Sequence, residues 1–279
     1  MEEKLDNSED RKTADAFAES WNNLPLGSIY TREQFIDWLA PITQKEVAGK
    51  TVLELGCGNA SLMIHLSDWQ PVYLEGVDFG DSIDSANQNM SILSFKNWKI
   101  TKADLIGFNS PEFDLVYCIG VLHHLKSPKS GLDSIIRNTK AGGRFHAWVY
   151  ALEGNMIVIY LVDPLRKIVS HLPWWIIKYF VATPLAVPFF IYAKLINLLR
   201  SVSLVRKMPL FGYSLWIAKR EFAFFRHVAF DQLVTPQTTY LARDTILDWL
   251  KGYDQIDQDS IYITMRNGNS WKFGGRIKS

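Results

Sequence analysis

A short apolar run that ends in an acid and two glycines most constrains how this chain can fold. The run, Thr51 to Leu55, carries Glu54 two residues before Gly56, and a second glycine follows at Gly58. Glycine has no Cβ, so such a turn lets a ligand approach the main chain, while the helix that follows offers unpaired N–H groups. A dinucleotide-binding turn would have a third glycine at position 61 and no acid in the strand. This chain has Ser61 at that position and Glu54 in the strand. The pattern therefore predicts a nucleotide-type site that favours a cation; an ordinary strand-to-helix turn is the alternative.

Glu54-Leu-Gly-Cys-Gly58 resembles the first motif of the class I S-adenosylmethionine-dependent methyltransferases. S-adenosylmethionine carries an ammonium and a sulfonium group, so an acidic glycine turn suits it better than it suits a pyrophosphate. The resemblance implies methyl transfer with this cofactor and a Rossmann-like α/β fold, in which a seven-stranded mixed sheet follows N-terminal helices. It also implies that the cofactor contacts Glu54, Gly56, Cys57, Gly58 and Asn59.

Acids follow the next two predicted strands, as the resemblance requires. Asp78 ends the apolar run Pro71 to Val77, where a carboxylate can accept hydrogen bonds from both ribose hydroxyls of a nucleoside. Phe79 beside it either lies against the adenine or packs in the core. The resemblance implies that Asp104 accepts a hydrogen bond from the adenine amino group, with Leu105 next to it in the cofactor site. A solvated loop aspartate is the alternative.

The end of the fourth predicted strand distinguishes branches of this family. Its DNA amino-methylating members carry Asn or Asp, two prolines and an aromatic residue at this point, where the chain has Cys118 to Val121. The following Val121-Leu-His-His-Leu125 instead resembles the branch, methyltransferase type 11, that methylates quinones, other small molecules and lipids. The resemblance places Cys118 and Ile119 at the cofactor.

Histidine titrates near neutral pH, so a histidine at this strand end is a candidate general base. Two follow the strand, His123 and His124; one can orient the loop while the other faces the active site. We predict His123 as the base and His227, much later in the chain, as the alternative. A purely structural role for the pair stays open.

Two further patterns complete the predicted sheet. Lys140-Ala-Gly-Gly143 resembles the turn that starts the fifth strand in the family, with alanine in place of proline. The segments Ser260 to Met265 and Ser270 to Ile277 read as strands joined by a hairpin turn at Asn267-Gly268. They match the antiparallel last pair of the methyltransferase sheet, which makes the sheet mixed.

Helices are predicted before the first strand. Thr31-Arg-Glu-Gln34 is a capping box that opens a helix ending before Pro41. In methyltransferases of this type similar helices fold over the cofactor, so Trp21 and Tyr30 either line its pocket or pack these helices onto the sheet.

The segment from Ala151 to Phe230 is both the most apolar and the most basic part of the chain. It contains ten Lys or Arg residues against three acids, a net charge of +7. Within it, Tyr179 to Ala193 carries no formal charge and is interrupted by Pro184 and Pro188. A spanning helix needs about 20 apolar residues, and prolines disfavour a straight one. We therefore predict a helical insertion that enters a membrane interface only shallowly or as a re-entrant segment.

In this membrane hypothesis Lys178 and Lys194 snorkel to the surface, and Trp174 and Trp175 lie at the level of the headgroups. The alternative is a helical lid whose apolar side covers the active site. The two overlap, because one lid can both attach to a membrane and admit a hydrophobic substrate.

The segment Phe230 to Pro236 resembles the return from the lid in the lipid and small-molecule branch. Tyr150, His227 and Asp231 are therefore expected near the substrate. The predicted units are a flexible tail (1–12), N-terminal helices with the cofactor-binding core (13–150), the insertion (151–238), and a C-terminal helix with the last two strands (239–279).

The predicted function is methyl transfer to a hydrophobic acceptor, a lipid, isoprenoid or quinone-like molecule, at a membrane surface. A soluble small-molecule or natural-product O-, N- or C-methyltransferase with a hydrophobic lid is one alternative, and a non-catalytic membrane-docked scaffold is another. Nucleic acid is not an expected partner, because the basic surplus lies in an apolar segment without the polar, arginine-rich surface that phosphate contacts favour.

Cysteine content and the first residues bear on location. The chain has only Cys57 and Cys118, and its acidic start shows no secretory pattern, which favours a reducing, cytoplasmic location. Together with the membrane hypothesis for the insertion, this predicts peripheral contact with the inner face of an anionic membrane. No metal site is predicted, and the sequence predicts no oligomeric state.

Overall fold

The structure is a computed structural model and describes residues 30–110, 113–235 and 237–279. The predicted tail at 1–12 and Trp21 lie outside the described residues. Both cysteines, Cys57 and Cys118, are buried and free.

In the described part of the chain, seven strands form one sheet in the order β3-β2-β1-β4-β5-β7-β6. Strands β1 to β5 are parallel, and β7 runs antiparallel to both β5 and β6. This confirms the predicted seven-stranded mixed sheet. The strands are β1 (Thr51–Leu55), β2 (Tyr73–Asp78), β3 (Trp98–Lys102), β4 (Phe113–Ile119), β5 (Thr139–Tyr150), β6 (Ile256–Arg266) and β7 (Ser270–Ile277).

Helices cover both faces of the sheet, because the central parallel strands are apolar on both sides. One core cluster joins α5 and α11 to the sheet through residues such as Ile135 and Ile246. The second joins α1, α3 and α4 to the opposite face, with Phe35, Met63 and Met90 among its members. These helices are α1 (Arg32–Leu39), α2 (Gln44–Val47), α3 (Ser61–Ser67), α4 (Ile83–Ser91), α5 (Pro128–Asn138) and, after the insertion, α11 (Arg243–Lys251).

Two of the local sequence patterns form the predicted structure, and a third does not. The Thr31 capping box forms and opens α1, and Asn267 and Gly268 both take the positive φ that a two-residue hairpin turn requires. The segment Lys140 to Gly143 does not form a turn ahead of the strand. It lies inside β5, where the register with β4 shifts between the pairs at Phe113 and Leu115, so these residues form a bulge.

The predicted helical insertion leaves and rejoins the core at one point. Leu152 N donates to Leu241 O (3.0 Å), and Leu241 N donates to Tyr150 O (3.0 Å). Between these residues the chain forms a π-helical turn (Val158–Val162) continuous with α6 (Asp163–Val169), then α7 (Trp174–Ile176), a π-helical stretch (Ile177–Ala182) and α8 (Thr183–Leu198), and finally α9 (Phe211–Ala218) and α10 (Phe222–Val234).

The two prolines do not interrupt the helix as expected, because Trp174–Leu198 is one continuous helix of 25 residues; the shallow or re-entrant insertion into a membrane stays a prediction. Pro184 lies in the first turn of α8, directly after the π-helical stretch, where a missing N–H is easily tolerated. Thr183 Oγ1 donates to Lys178 O (2.7 Å) and satisfies a carbonyl of that stretch. Of the described residues, this one helix has the length and composition to cross a membrane.

The long helix nevertheless packs along the protein. Ala186, Ala193 and Ile196 are buried on one side of it, and α9 and α10 cover that side. Its two lysines also contact the protein: Lys194 Nζ donates to Ala218 O (2.7 Å), and Lys178 Nζ lies 5.6 Å from the ring centre of Trp174. Their snorkelling to a membrane surface stays a prediction.

Candidate functional site

The glycine turn forms as predicted between β1 and α3. Gly56 has φ +79°, and a Cβ there would lie 2.4 Å from Val121 Cγ2, so only glycine fits. Gly58 also has a positive φ, but the position of its missing Cβ is open. The N–H groups of Gly56 and Cys57 both donate to Val77 O. The turn is thus held by β2 and leaves space beside Gly58 for a ligand.

Asp78 organises this turn from the end of β2. Its Oδ2 accepts a hydrogen bond from Gly58 N and its Oδ1 one from Gly80 N, both at 2.8 Å. Burial raises the pKa of the carboxyl group, whereas these backbone hydrogen bonds lower it. A carboxylate oxygen has a second lone pair, so Asp78 can hold the loops and still accept hydrogen bonds from a ligand.

Glu54 is a buried acid with one side-chain partner in the described structure. Tyr117 Oη donates to Glu54 Oε2 (2.8 Å). The pKa of Glu54 is raised to about 8, mainly by burial and in smaller part by nearby Asp78, although the Tyr117 hydrogen bond lowers it. A ligand cation beside this carboxyl group would favour its ionised form.

We expect Glu54 to make the empty protein less stable as pH rises. Its pKa in the folded state is raised above the ordinary value of 4.5, so its contribution is fully present below about pH 4.5 and is lost as pH rises through about 8. The free energy of unfolding should fall by at most about 1.4 kcal/mol per pH unit in that window. Urea unfolding of Glu54→Gln and the parent at several pH values checks this.

The Gln variant keeps an acceptor for Tyr117, and its free energy of unfolding should exceed that of the parent most at pH 8 to 9. Glu33→Gln, at an exposed position on α1, is the matched control. If the two stability curves stay parallel from pH 5 to pH 9, the buried carboxyl group does not titrate as described.

One cavity of about 550 Å³ brings most of the predicted residues together. Its lining runs from the glycine turn to the insertion, so the two halves of the prediction meet in one space. The predicted cofactor and substrate residues along it are Tyr30, Glu54, Gly56, Cys57, Gly58, Asn59, Asp78, Phe79, Asp104, Leu105, Ile119, Tyr150, His227 and Asp231.

Cys118 does not reach the cavity lining, contrary to the prediction. Its side chain is fully buried in the core beneath the sheet, and burial raises the pKa of its thiol. Side chains alternate along a strand, so Ile119 faces the cavity while its neighbour cannot.

His123 also fails to reach the cavity, so the first choice of general base is corrected. Its ring is completely buried, 4.1 Å from the ring centres of both His124 and Tyr150. Within the described residues neither of its ring nitrogens has a hydrogen-bond partner, and burial lowers its pKa well below the usual value. This histidine is a neutral core residue.

His124, which lines the cavity, takes the loop-orienting role instead. Its Nδ1 lies 3.0 Å from Gln237 O, so Nδ1 carries the proton and donates to that carbonyl. Burial lowers the pKa of His124 to about 3. It therefore connects the end of β4 to the return from the insertion and stays neutral near pH 7.

The alternative base, His227, lies on α10 in the wall of the cavity. Its Nε2 is 3.3 Å from Asp231 Oδ2, one helical turn later. Both ring nitrogens are shielded from solvent, so the ring must turn to meet an acceptor. Nearby, Gln232 Nε2 donates to the hydroxyl of Tyr150 (3.0 Å), and this hydrogen bond fixes the Tyr150 ring in the wall of the same cavity.

Trp174 and Trp175 do not line the cavity. Trp174 packs on the small core of the insertion, and Trp175 is half-exposed. The two tryptophans are therefore not cavity-lining lid residues, because this end of the long helix turns away from the cavity. Their position at the level of the headgroups stays a prediction.

Several residues that line the cavity were not predicted from the sequence. Trp148 lies two residues before Tyr150 in β5 and so shares its face of the sheet, a signal that strand alternation could have supplied. Arg166 is buried on α6 and paired with Asp163 (2.7 Å), and no sequence signal indicates that it faces the cavity. The other missed residues include Trp38, Tyr213, Trp216, Phe225, Tyr240 and Arg266.

Among the residues that the structure describes, no group of three or more His, Cys, Asp or Glu side chains could hold a metal ion.

Comparison with known proteins agrees with this geometry. A family model described as a methyltransferase domain matches residues 53–145, which span β1 to β5. Over 123 residues the chain is 26% identical to a tRNA U34 carboxymethyltransferase of Nautilia profundicola, covering 43% of this chain and 41% of that protein. Over 112 residues it is 29% identical to a ubiquinone biosynthesis O-methyltransferase of Pseudomonas syringae pv. tomato, covering 39% and 47%. The chain thus spans less than half the length of either relative.

A solved structure extends the likeness in fold to the whole chain. Magnesium protoporphyrin IX methyltransferase from Synechocystis PCC 6803, crystallised with S-adenosylmethionine, superposes with a TM-score of 0.51 at 13% identity, covering 100% of both chains. At this identity the likeness concerns the fold alone.

Proposed function

We propose that this chain, which contains a class I S-adenosylmethionine-dependent methyltransferase domain, transfers a methyl group to a small hydrophobic acceptor. The observation that carries the proposal is the continuity of the cavity. Acidic and glycine residues typical of the cofactor site line one end, and apolar side chains of the insertion line the other.

The residues present suit the cofactor. Glu54 supplies a buried carboxyl group for its cationic end, Asp78 acceptors for the ribose hydroxyls, and Asp104 an acceptor for the adenine amino group. The positive φ and open Cβ position of Gly58 leave room for the ligand against the backbone. When bound, S-adenosylmethionine supplies an electrophilic methyl group on a sulfonium sulfur.

The protein's own contribution is alignment, exclusion of water and proton acceptance. For a hydroxyl acceptor, the bound cofactor would supply the methyl group to the oxygen, and the electrons of the broken carbon–sulfur bond would remain on its sulfur. The acceptor's proton then passes to His227, whose imidazolium form Asp231 stabilises. Hydrogen bonds of this kind are often long before the substrate binds, which fits the 3.3 Å separation of His227 and Asp231.

The lining favours a hydrophobic acceptor. Phe189, Tyr213, Trp216 and Phe225 come together around it from α8, α9 and α10; aromatic walls of this kind suit a lipid, isoprenoid or quinone-like molecule. A polar small molecule under a soluble lid is the second candidate. Untargeted detection of methylated lipids in cells with and without the protein distinguishes them.

A tRNA acceptor, which the name of one relative raises, is less well supported. The basic surplus of the insertion lies among exposed apolar side chains, and such a surface suits a membrane better than a phosphate backbone. A non-catalytic scaffold would not need a lined, continuous cavity. We further propose that the protein is cytoplasmic and attaches peripherally to the inner face of the membrane.

We expect co-flotation with vesicles of phosphatidylcholine and phosphatidylglycerol that weakens, but persists, at high salt. Each Lys or Arg near an anionic surface contributes about 1 kcal/mol. Arg200, Arg206 and Lys207 are exposed beside apolar residues, so replacing all three by Gln should weaken binding by about 10²-fold at physiological salt.

The matched control for this flotation removes the same charge outside the insertion. Lys45, Lys96 and Lys251 are exposed on the core, and their triple Gln variant should float like the parent. Equal losses in both triple variants would mean that net charge, and not the insertion, directs the attachment.

A further inference from the structure

The insertion exposes most of the protein's large apolar surface. Of the 23 large apolar side chains that are exposed in the described part of the chain, 19 lie between Leu152 and Met208. On the long helix, Val187, Ile191, Leu195 and Leu198 recur every three or four residues and form a stripe. We call the exposed apolar side chains of this helix, the π-helical turn and α6 the apolar face; its main members are Ile157, Tyr160, Leu161, Ile168, Phe180, Leu185, Val187, Ile191, Leu195 and Leu198.

The cavity opens on this face. Its lining includes Ile157, Leu161 and Leu185, which are 43%, 68% and 47% exposed. In the described chain no other lining residue is classed as exposed, and these three are all apolar. Ile157 directly precedes the π-helical turn, Leu161 lies in it and Leu185 lies in α8, so the mouth lies between the two helices of the apolar face.

The charges around the face indicate its occupant. Lys167, Arg200, Arg206 and Lys207 are exposed beside it, and the segment from Ala151 to Phe230 carries a net charge of +7. An apolar surface with a basic margin matches the hydrocarbon and the anionic headgroups of a bilayer. An exposed apolar patch of this extent is rare on a protein that has no partner.

We propose that the mouth between Leu161 and Leu185 is a lateral portal, through which a lipophilic acceptor passes directly from an anionic bilayer into the cavity. The portal rests on the proposed function, since it presumes that the acceptor binds in this cavity. An apolar mouth held in the membrane removes the cost of carrying the acceptor's apolar surface through water.

Site-specific photocrosslinking tests the portal. Para-benzoylphenylalanine is placed at Leu161 or Leu185 in the mouth, at Phe189 inside the cavity, and at Ile92, which is 82% exposed outside the insertion, as the control. The full-length protein is irradiated with phosphatidylcholine and phosphatidylglycerol vesicles doped with para-decylphenol, and adducts are identified by mass spectrometry. We expect lipid adducts at both mouth positions and decylphenol adducts at position 189, each at least about tenfold above those at position 92.

Three results would overturn the portal. Adducts at position 92 that equal those in the mouth would mean unspecific contact, and mouth adducts without any at position 189 would mean attachment without access to the cavity. Crosslinks between protein copies at position 161 would assign the face to a second copy of the chain. Calorimetry with S-adenosylhomocysteine is a separate readout: if it does not bind while the adducts form as expected, the proposed function fails and the contact with lipid stands.

Discussion

Replacing His227 by alanine should lower the rate of methyl transfer by about 10²- to 10⁴-fold, which is the usual effect of losing a positioned base. The reason is its place in the wall of the cavity, with Asp231 3.3 Å away to stabilise the imidazolium that forms. The measurement is transfer of the labelled methyl group of S-adenosylmethionine into lipids extracted from the host cell. Affinity for S-adenosylhomocysteine should stay nearly unchanged.

Two other histidines make this experiment decisive. His171 is exposed in the same insertion and does not line the cavity, so His171→Ala should retain the parent rate. His123→Ala removes a buried ring and should lower thermal stability first. If His227→Ala keeps most of its activity, alignment and desolvation constitute the whole mechanism and the chain needs no base at this position.

Replacing Asp78 by alanine should weaken binding of S-adenosylhomocysteine by about 2 to 4 kcal/mol, or about 30- to 700-fold in Kd. The estimate takes about 1 to 2 kcal/mol for each of two hydrogen bonds to a charged group. The structure adds a second cause, because the same carboxylate accepts hydrogen bonds from Gly58 N and Gly80 N. Titration calorimetry measures the affinity, and thermal unfolding of the empty variant reports whether the turn still forms.

Asp81→Ala is the matched control. Asp81 lies three residues later in the same loop, forms an exposed ion pair with Lys102, and does not line the cavity. It should bind the cofactor like the parent. Unchanged affinity in Asp78→Ala would refute the assignment of the ribose acceptors, whatever happens to stability.

The core fold and most of the cofactor end of the cavity could be predicted from the sequence. The signals there are local: an acid and glycines beside a strand in the case of Glu54, Gly56 and Gly58, and an acid at a strand end in the case of Asp78. Parallel strands bring their carboxyl ends to the same edge of the sheet, so residues that are far apart in the chain meet there without further information. Cys118 was wrongly placed at the cofactor, because the side of the sheet that its side chain faces depends on the register of β4.

The residues at the acceptor end of the cavity could not be predicted from the sequence, because they depend on how the helices of the insertion pack. Helix α10 is apolar on nearly all sides, with Phe222, Phe224, Val228 and Phe230 spread around it, so its sequence does not show that His227 faces the cavity. The long helix likewise gave no indication that Trp174 and Trp175 turn away from it while Leu185 reaches the mouth. Apolar periodicity identifies a buried side of a helix only when the opposite side is polar. In this insertion both sides are apolar, so the packing of its helices on one another and on the core decides which residues form the chamber and which face outward.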